Sequence, residues 1–373
     1  MRRQLKILGL NNNFFGSYES NQVFFRELLG AFETAGAEVF CATNVSEARE
    51  ILETYNIDFS IGFSKYLYFI NGEPLYEMYR TPNYQWISDN PLKMNLDTSS
   101  QWIRYIFIDK EYLLILKEPP NYPCLYLPLG FSENRNLPHC DKKAEILFPG
   151  KIRNLGSIWK KISDSPWSKH IKKFLDEYSL DSSYIAALKK FFAQQENLSE
   201  SSRIEIFRLS NEYLRVKKRL TAIKNLGGRK IYILGDDWQN KELRSANIEF
   251  LPPTRYADIA SVMNQFHFVL NVDPNYHACI HDRFIRAVSA GTACLSNSNE
   301  VMRRWNPYTY DFTEEFSLEK LLYRAERDEE KIYNDQLRHI KIFSWEHSAL
   351  RIIDNYLTGA NVDGYGISDN LLR

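Results

Sequence analysis

The hydrophobic positions fall into short continuous runs, separated by stretches in which apolar residues recur at helical spacing. In the first part of the chain the runs are "LKILGL", "AEVFCAT", "IDFSIGF", "NYQWIS", "RYIFID" and "PCLYLPLG". Runs of this length read as strands buried on both faces. Between them the pattern predicts an amphipathic helix from about Asn21 to Ala35. A second helix, "NVSEAREILETY", carries Asn44 and Glu47 at capping-box spacing. A second series begins near Ala144 with "AEILFPGKI" and continues through "KIYILGDD", "NIEFLPP", "HFVLNVDP" and "TACLSN". Strands alternating with helices predict parallel sheets covered by helices, so the fold class is α/β with two such halves. The expected domains are 1–140 and 141–345, joined through the polar linker Gly130 to Lys143. A mostly helical stretch lies at about 158–224. The last segment, 346–373, is expected to be a helix and tail that packs back on the first domain, with Ser344 as helix N-cap.

One segment joins pattern to chemistry. "HDRFIRAVSAGTACLSN" (His281 to Asn297) opens a short helix with His281, Asp282 and Arg283, and closes it at Gly291, which suits a left-handed backbone. A buried strand follows. With "HFVLNVDP" before it, the segment is a βαβ unit whose loop meets a helix N-terminus, a geometry that binds anions.

Composition narrows the function classes. Hydrophobic residues make up 44% and charged residues 25%, as in ordinary globular proteins. Lys plus Arg number 47 and Asp plus Glu number 47, so there is no general attraction to nucleic acid. The N-terminal apolar run is too short for a secretory signal, and no run approaches the ~20 residues of a membrane span. The five cysteines are scattered without a CxxC, which argues against a disulfide framework or a zinc site. A cytoplasmic protein is the expectation. The stretch "RVKKRLTAIKNLGGRK" (Arg215 to Lys230) holds seven basic residues and no acidic one. It reads as a solvated helix face, or alternatively as a patch for an acceptor or for peripheral contact with the inner membrane surface.

Several segments resemble the CgeB-like, or spore-maturation-protein-type, family of bacterial glycosyltransferases within the GT-B group. The segments are "IYILGDDW", "LPPTRYADIASVMNQFHFVLNVDPN", "HDRFIRAVSAGTACLSN" and "FSWEHSALRII", together with "YQWISDNPLKM" and "YLPLGFSEN" in the first half. The resemblance implies two Rossmann-like domains facing across a cleft. It further implies sugar transfer from a nucleoside diphosphate sugar, most readily a UDP-sugar, to a hydroxyl of a glycan, lipid-linked or protein acceptor. No metal and no separate cofactor would be needed, and the anomeric configuration would be retained. One departure stands out: Arg286 stands where the family helix carries a glutamate, the other glutamate of the wider retaining-transferase signature would fall near Ala278, and Asp282 or Glu300 are the available substitutes. The competing reading is a non-catalytic sugar-nucleotide-binding or scaffold protein of the same fold.

The candidate residues follow. On the donor side Gly150 lets backbone approach a ligand, and Lys151, Arg153 and Arg283 are cations for the diphosphate. Asn275, Tyr276, Pro252, Asp282 and Glu300 complete that set, with His281 as a catalytic group. In the first half Asp89 is the candidate catalytic carboxylate. Asn11, Asn12, Asn13, Gly16 and Trp86 are assigned to the acceptor side, and Trp238 is a further stacking candidate. Each has a plainer explanation as turn former, core aromatic or surface charge. Arg283→Ala is expected to weaken diphosphate binding by about 1.5–3 kcal/mol with little change in stability.

Overall fold

The structure, a computed structural model, describes residues 3–11, 19–63, 68–88, 91–94, 96–116, 118, 120, 122, 124–132, 142, 144–195, 197–235, 240–245, 247–273, 275–314 and 316–359. The chain divides into two compact units, Met1–Asn134 with Lys341–Arg373, and Arg135–Ile340. The sequence had placed the boundaries a few residues later.

The first unit contains β1 (Lys6–Leu10), α1 (Ser20–Thr34), β2 (Glu38–Ala42), α2 (Val45–Thr54) and β3 (Phe59–Phe63). A small hairpin follows, β4 (Phe69–Ile70) and β5 (Glu73–Pro74), then α3 (Leu75–Met78), β6 (Asn83–Ile87), β7 (Ile103–Phe107) and β8 (Leu125–Tyr126). Six strands form one parallel sheet in the order β2-β1-β3-β6-β7-β8. The hairpin had no signal in the hydrophobic pattern. "PCLYLPLG" shortens to a two-residue strand. Leu127 still donates to Phe107 O at 3.0 Å, but Pro128 has no N–H with which to continue the ladder. At α2, Asn44 accepts from Glu47 N at 3.0 Å, while the Glu47 carboxylate reaches Thr43 N at 2.7 Å. The capping box therefore closes one residue upstream of its usual donor.

The second unit contains β9 (Ala144–Pro149), α4 (Leu155–Asp164), α5 (Ser168–Glu177), α6 (Tyr184–Ala193), α7 (Glu200–Lys224), β10 (Ile231–Leu234) and β11 (Ile248–Leu251). It continues with α8 (Ile259–Met263), β12 (Phe266–Asn271), α9 (Asp282–Ser289), β13 (Ala293–Asn297), α10 (Glu300–Trp305), β14 (Thr309–Tyr310) and α11 (Ser317–Ile340). The last helix bends at Asp328, whose φ of −123° and ψ of 29° lie outside helical values. This sheet is also parallel, in the order β11-β10-β9-β12-β13-β14. The order reverses between β9 and β12. In doubly wound sheets the crevice outside the carboxyl ends at such a reversal is where ligands bind.

After the second unit the chain returns to the first through α12 (Trp345–Thr358), capped by Ser344, which accepts from His347 N. The helix packs on α1. Trp345 is fully buried and donates its indole N–H to Glu27 Oε2 at 2.7 Å. A side chain at Gly130 would meet the Trp345 ring at 2.8 Å, so only glycine fits that approach.

The basic run is not one face. Lys218 and Arg219 are buried within the second unit, because α7 is packed on several sides from Leu214 to Ile223. Arg229 pairs with Glu326 and Lys230 with Glu249. This corrects the solvated-face reading for Lys218 and Arg219. Among the described residues no helix is long and apolar enough to cross a bilayer.

Candidate functional site

The carboxyl ends of β9 and β12 gather the polar residues of the second unit. β9 is apolar to its end, with Ile146, Leu147 and Phe148 buried, and Gly150 follows at once. β12 ends at Asn271, and the loop after it carries Val272, Asp273, Asn275, Tyr276 and His277 towards α9.

His281 is the N-cap of α9. Its Nδ1 lies 2.8 Å from Asp282 Oδ1 and 3.1 Å from Arg283 N. One ring nitrogen cannot donate to the first and accept from the second. The Nδ1–H tautomer serves the shorter, charged contact and leaves Nε2 as the unprotonated nitrogen. Burial lowers the His281 pKa against the opposing pull of Asp282, so the ring is neutral near pH 7. Burial would raise the Asp282 pKa, but His281, the Tyr256 hydroxyl at 2.6 Å and Arg283 outweigh it and hold the carboxyl well below its usual range.

Arg283 points inward, beneath Gly150. Its Nη1 donates to Asn271 Oδ1 at 3.2 Å and lies 3.5 Å from Val272 O, and its guanidinium stands 5.5 Å from the centre of the Phe148 ring. A Cβ on Gly150 would come within 3.0 Å of Arg283 Nη2. Arg219 also approaches the same ring, at 5.9 Å, and donates to the Lys151 carbonyl. Two guanidiniums thus converge on Phe148 at the end of β9. Arg283 is only 9% exposed, so it is also a core element, and the expectation that its loss would spare stability is corrected.

Lys218 adds a third buried cation. Its ammonium lies 3.4 Å from the Tyr178 hydroxyl and near the Tyr178 and Phe312 rings. Burial pushes its pKa down to about 8, with Asp273 and Asp181 pulling the other way. Asp273 is anchored by Asn299 Nδ2 at 2.9 Å, and its own N–H donates to Asn297 Oδ1 at 2.5 Å. Asn275 ties the loop to α7 through Asn211 Oδ1 at 2.6 Å. The His277 pKa is lowered by burial, with Glu300 opposing.

The remaining candidates separate. The Tyr276 ring lies 5.9 Å from that of His281, and the exposed Glu300 donates its N–H to His277 O at 3.0 Å, so both belong to the margin of this cluster. Lys151 is exposed beside it. Arg153 turns to the surface and pairs with Glu212 at 2.6 Å. Pro252 is exposed after the edge strand β11, with β10 between it and β9. Arg286, at the place of a family glutamate, is buried and stacks 5.3 Å from the Tyr256 ring. Ala278, near the other, is buried as well.

In the first unit Trp86 is fully buried. It stacks on Phe63 at 5.4 Å and meets Trp345 edge-on at 5.3 Å. It has no face for an acceptor sugar, which corrects its assignment. The Asn11 N–H donates to Ala42 O, and its carbonyl accepts from the Tyr68 hydroxyl at 2.9 Å. Asp89, Asn12, Asn13, Gly16 and Trp238 lie outside the described residues.

Residue patterning alone missed Lys218, Arg219, Asn271, Asp273 and Tyr256. The signal for the two cations was available: Leu214, Val216, Leu220 and Ile223 interleave with them at core spacing. Among the described residues, no cluster of three His, Cys, Asp or Glu side chains is placed to hold a metal ion.

The comparisons with known proteins bear on this unit and on the whole fold. No curated protein matches the chain. AviGT4, a glycosyltransferase involved in avilamycin A biosynthesis, aligns at 12% identity over 95% of this chain and 99% of its own, with a TM-score of 0.55. An alpha-glucosyltransferase solved with UDP and a 13-mer DNA aligns at 9% identity over 95% and 100%, with a TM-score of 0.53. The T4 phage beta-glucosyltransferase aligns at 10% identity over 95% and 100%, with a TM-score of 0.52. Residues 215–354, which span α7 to α12 and include most of the cluster, match the glycosyl transferase-like family model, and the two-sheet fold of the chain is that of the GT-B glycosyltransferases.

Proposed function

We propose that the chain is a glycosyltransferase whose second unit holds the diphosphate of a nucleoside diphosphate sugar at the reversal between β9 and β12. The observation that carries this reading is the convergence of Arg283 and Arg219 on Phe148 beneath the side-chain-free Gly150. Buried guanidiniums are weakly screened and fork-shaped, which suits the charge that develops on a departing diphosphate. Uridine is the proposed base, since one alpha-glucosyltransferase of like fold was solved with UDP and one beta-glucosyltransferase with uridine diphosphoglucose.

In the reaction an acceptor hydroxyl oxygen bonds to the anomeric carbon, while the bond from that carbon to the phosphate oxygen breaks. The electron pair leaves with the diphosphate, where the cations stabilise it. In the retaining, metal-independent course we propose, the hydroxyl proton passes to the leaving phosphate oxygen. His281, held neutral by burial and oriented by Asp282, offers Nε2 to a sugar hydroxyl. The acceptor is a glycan, lipid-linked or protein hydroxyl; zero net charge gives no general attraction to nucleic acid.

The second reading, a sugar-nucleotide-binding protein without turnover, is favoured by one observation. Arg286 is buried against Tyr256 where a ribose-binding glutamate is expected, so ribose recognition lacks its usual acceptor. A panel of uridine, guanosine and cytidine diphosphate sugars decides between them. Donor hydrolysis or transfer supports the enzyme, tight binding without turnover supports the second reading, and neither binding nor turnover contradicts both.

A further inference from the structure

A separate groove lies between the turn after α7 and the first half of α11, with a volume of about 350 Å³. That volume falls in the range of small-ligand sites. Its walls are Phe316, Glu319, Lys320 and Tyr323 on one side and Gly227 and Arg229 on the other. Glu319, Lys320 and Tyr323 share one face at the start of α11, at i, i+1 and i+4, and Phe316 stands immediately before the helix. The core-facing stripe of the same helix is Leu318, Leu321, Leu322 and Ala325, all buried. The groove wall is a second face, and it carries two aromatic rings that remain 56% (Phe316) and 70% (Tyr323) exposed.

Two backbone features reinforce this. Phe316 holds a φ of 60°, a left-handed conformation that is costly for a bulky residue. Gly227 and Gly228 are also left-handed, at 60° and 86°, so on the opposite wall Arg229 stands beside a position without a side chain. The groove has no cationic surplus: Lys320 pairs with Glu314 at 3.2 Å and Arg229 with Glu326 at 2.8 Å, and Glu319 adds a third carboxylate. Flat aromatic faces, several hydrogen-bonding side chains and no cationic surplus suit a neutral polyhydroxyl ring. They do not suit a phosphate backbone or an anionic lipid surface, which need unmatched cations.

We infer that this groove binds a neutral carbohydrate chain, with a sugar ring stacked on Tyr323 and Phe316 and its hydroxyls bonded by Glu319, Lys320 and Arg229. None of its lining residues belongs to the cluster at β9 and β12, so the inference stands apart from the donor-site reading.

The test uses the full chain with maltohexaose, cellohexaose, xylohexaose and mannohexaose, read by saturation-transfer NMR, with UDP binding measured in parallel by calorimetry. At least one oligosaccharide should show transfer. Tyr323→Ala should weaken that binding at least tenfold and Tyr323→Phe should keep it, with UDP affinity unchanged in both. Phe316→Ala should weaken it similarly. The inference is overturned if no member of the panel binds at millimolar concentration, or if Tyr323→Ala binds like the parent. It is also overturned if phosphatidylglycerol vesicles capture the protein and lose it on Tyr323→Ala, which would assign the face to a membrane.

Discussion

The two parallel sheets use the carboxyl ends of their strands in different ways. In the first unit Phe63 at the end of β3 and Trp86 near the end of β6 close on Trp345 of α12 to form a buried aromatic plug. In the second unit β9 is followed at once by Gly150 and β12 ends in Asn271, and buried charge collects around them: Arg283, Arg219, Lys218, Asp273 and Asp282. The strand order differs too. The second sheet reverses at its centre, between β9 and β12, whereas the first reverses beside its edge, between β1 and β3. The same architecture therefore packs aromatic rings at one set of strand ends and gathers buried charge, where we propose the donor binds, at the other. Buried cations are tolerated where aromatic faces, carbonyls and opposed carboxylates offset part of their desolvation, and such a site is poised for an anion.

The comparison breaks most sharply at Trp86. Trp86→Ala should cost about 3–5 kcal/mol of stability, the usual cost of emptying a core aromatic site. UDP affinity per folded molecule should stay at the parental value. Denaturant melts with calorimetry on the folded fraction check this, and a loss of UDP binding would mean that the plug is part of the site.

Arg283→Ala comes next, and it should affect both properties. Losing the bonds to Asn271 and Val272 should destabilise the second unit by about 1.5–3 kcal/mol. UDP affinity should fall at least tenfold while uridine affinity changes little. Equal loss of UDP and uridine would mark Arg283 as structural only.

Lys218 gives a pH test. Its folded pKa of about 8 lies below the ordinary lysine value, so it is charged below pH 8 and loses charge as pH rises through that value. UDP affinity should fall between pH 7 and pH 9, and Lys218→Met should remove that slope. For folding the sign is opposite. From about pH 8 to the unfolded value near 10.4 the unfolded chain holds the extra proton, so stability rises with pH by up to about 1.4 kcal/mol per unit. The methionine variant should lack this rise.

Gly150→Ala is the smallest change. Its Cβ would press on Arg283 Nη2 at 3.0 Å and on Phe148 at 3.4 Å, displacing the guanidinium by a few tenths of an ångström. About a threefold to tenfold loss of UDP affinity with a nearly unchanged melting curve is expected.

Much of this contrast could be read before any coordinates. Strands such as Ile146 to Phe148 and Phe268 to Leu270 are continuous apolar runs because both faces of a parallel sheet are covered. Gly291, with a φ of 85°, ends α9 region as its position implied. His281, Asp282, Arg283 and Gly150 come together because helix starts and strand ends meet at a sheet reversal. What could not be read has physical causes. Lys218 and Arg219 are cations on a helix, and helical periodicity assigns cations to solvent unless the helix is packed on several sides. Trp86 has the composition of a stacking platform, and only the return of α12 turns it into core. β14 is two residues long and carries no run to detect.

The central claim is that a nucleoside diphosphate binds at the strand ends of the second unit. Hydrogen–deuterium exchange of the full chain with and without saturating UDP tests it most directly. Protection is predicted in 148–153, 215–219 and 271–286, with no change in the strands of the first unit at 59–63 and 83–87. Protection confined to the first unit, or no protection anywhere, would contradict it.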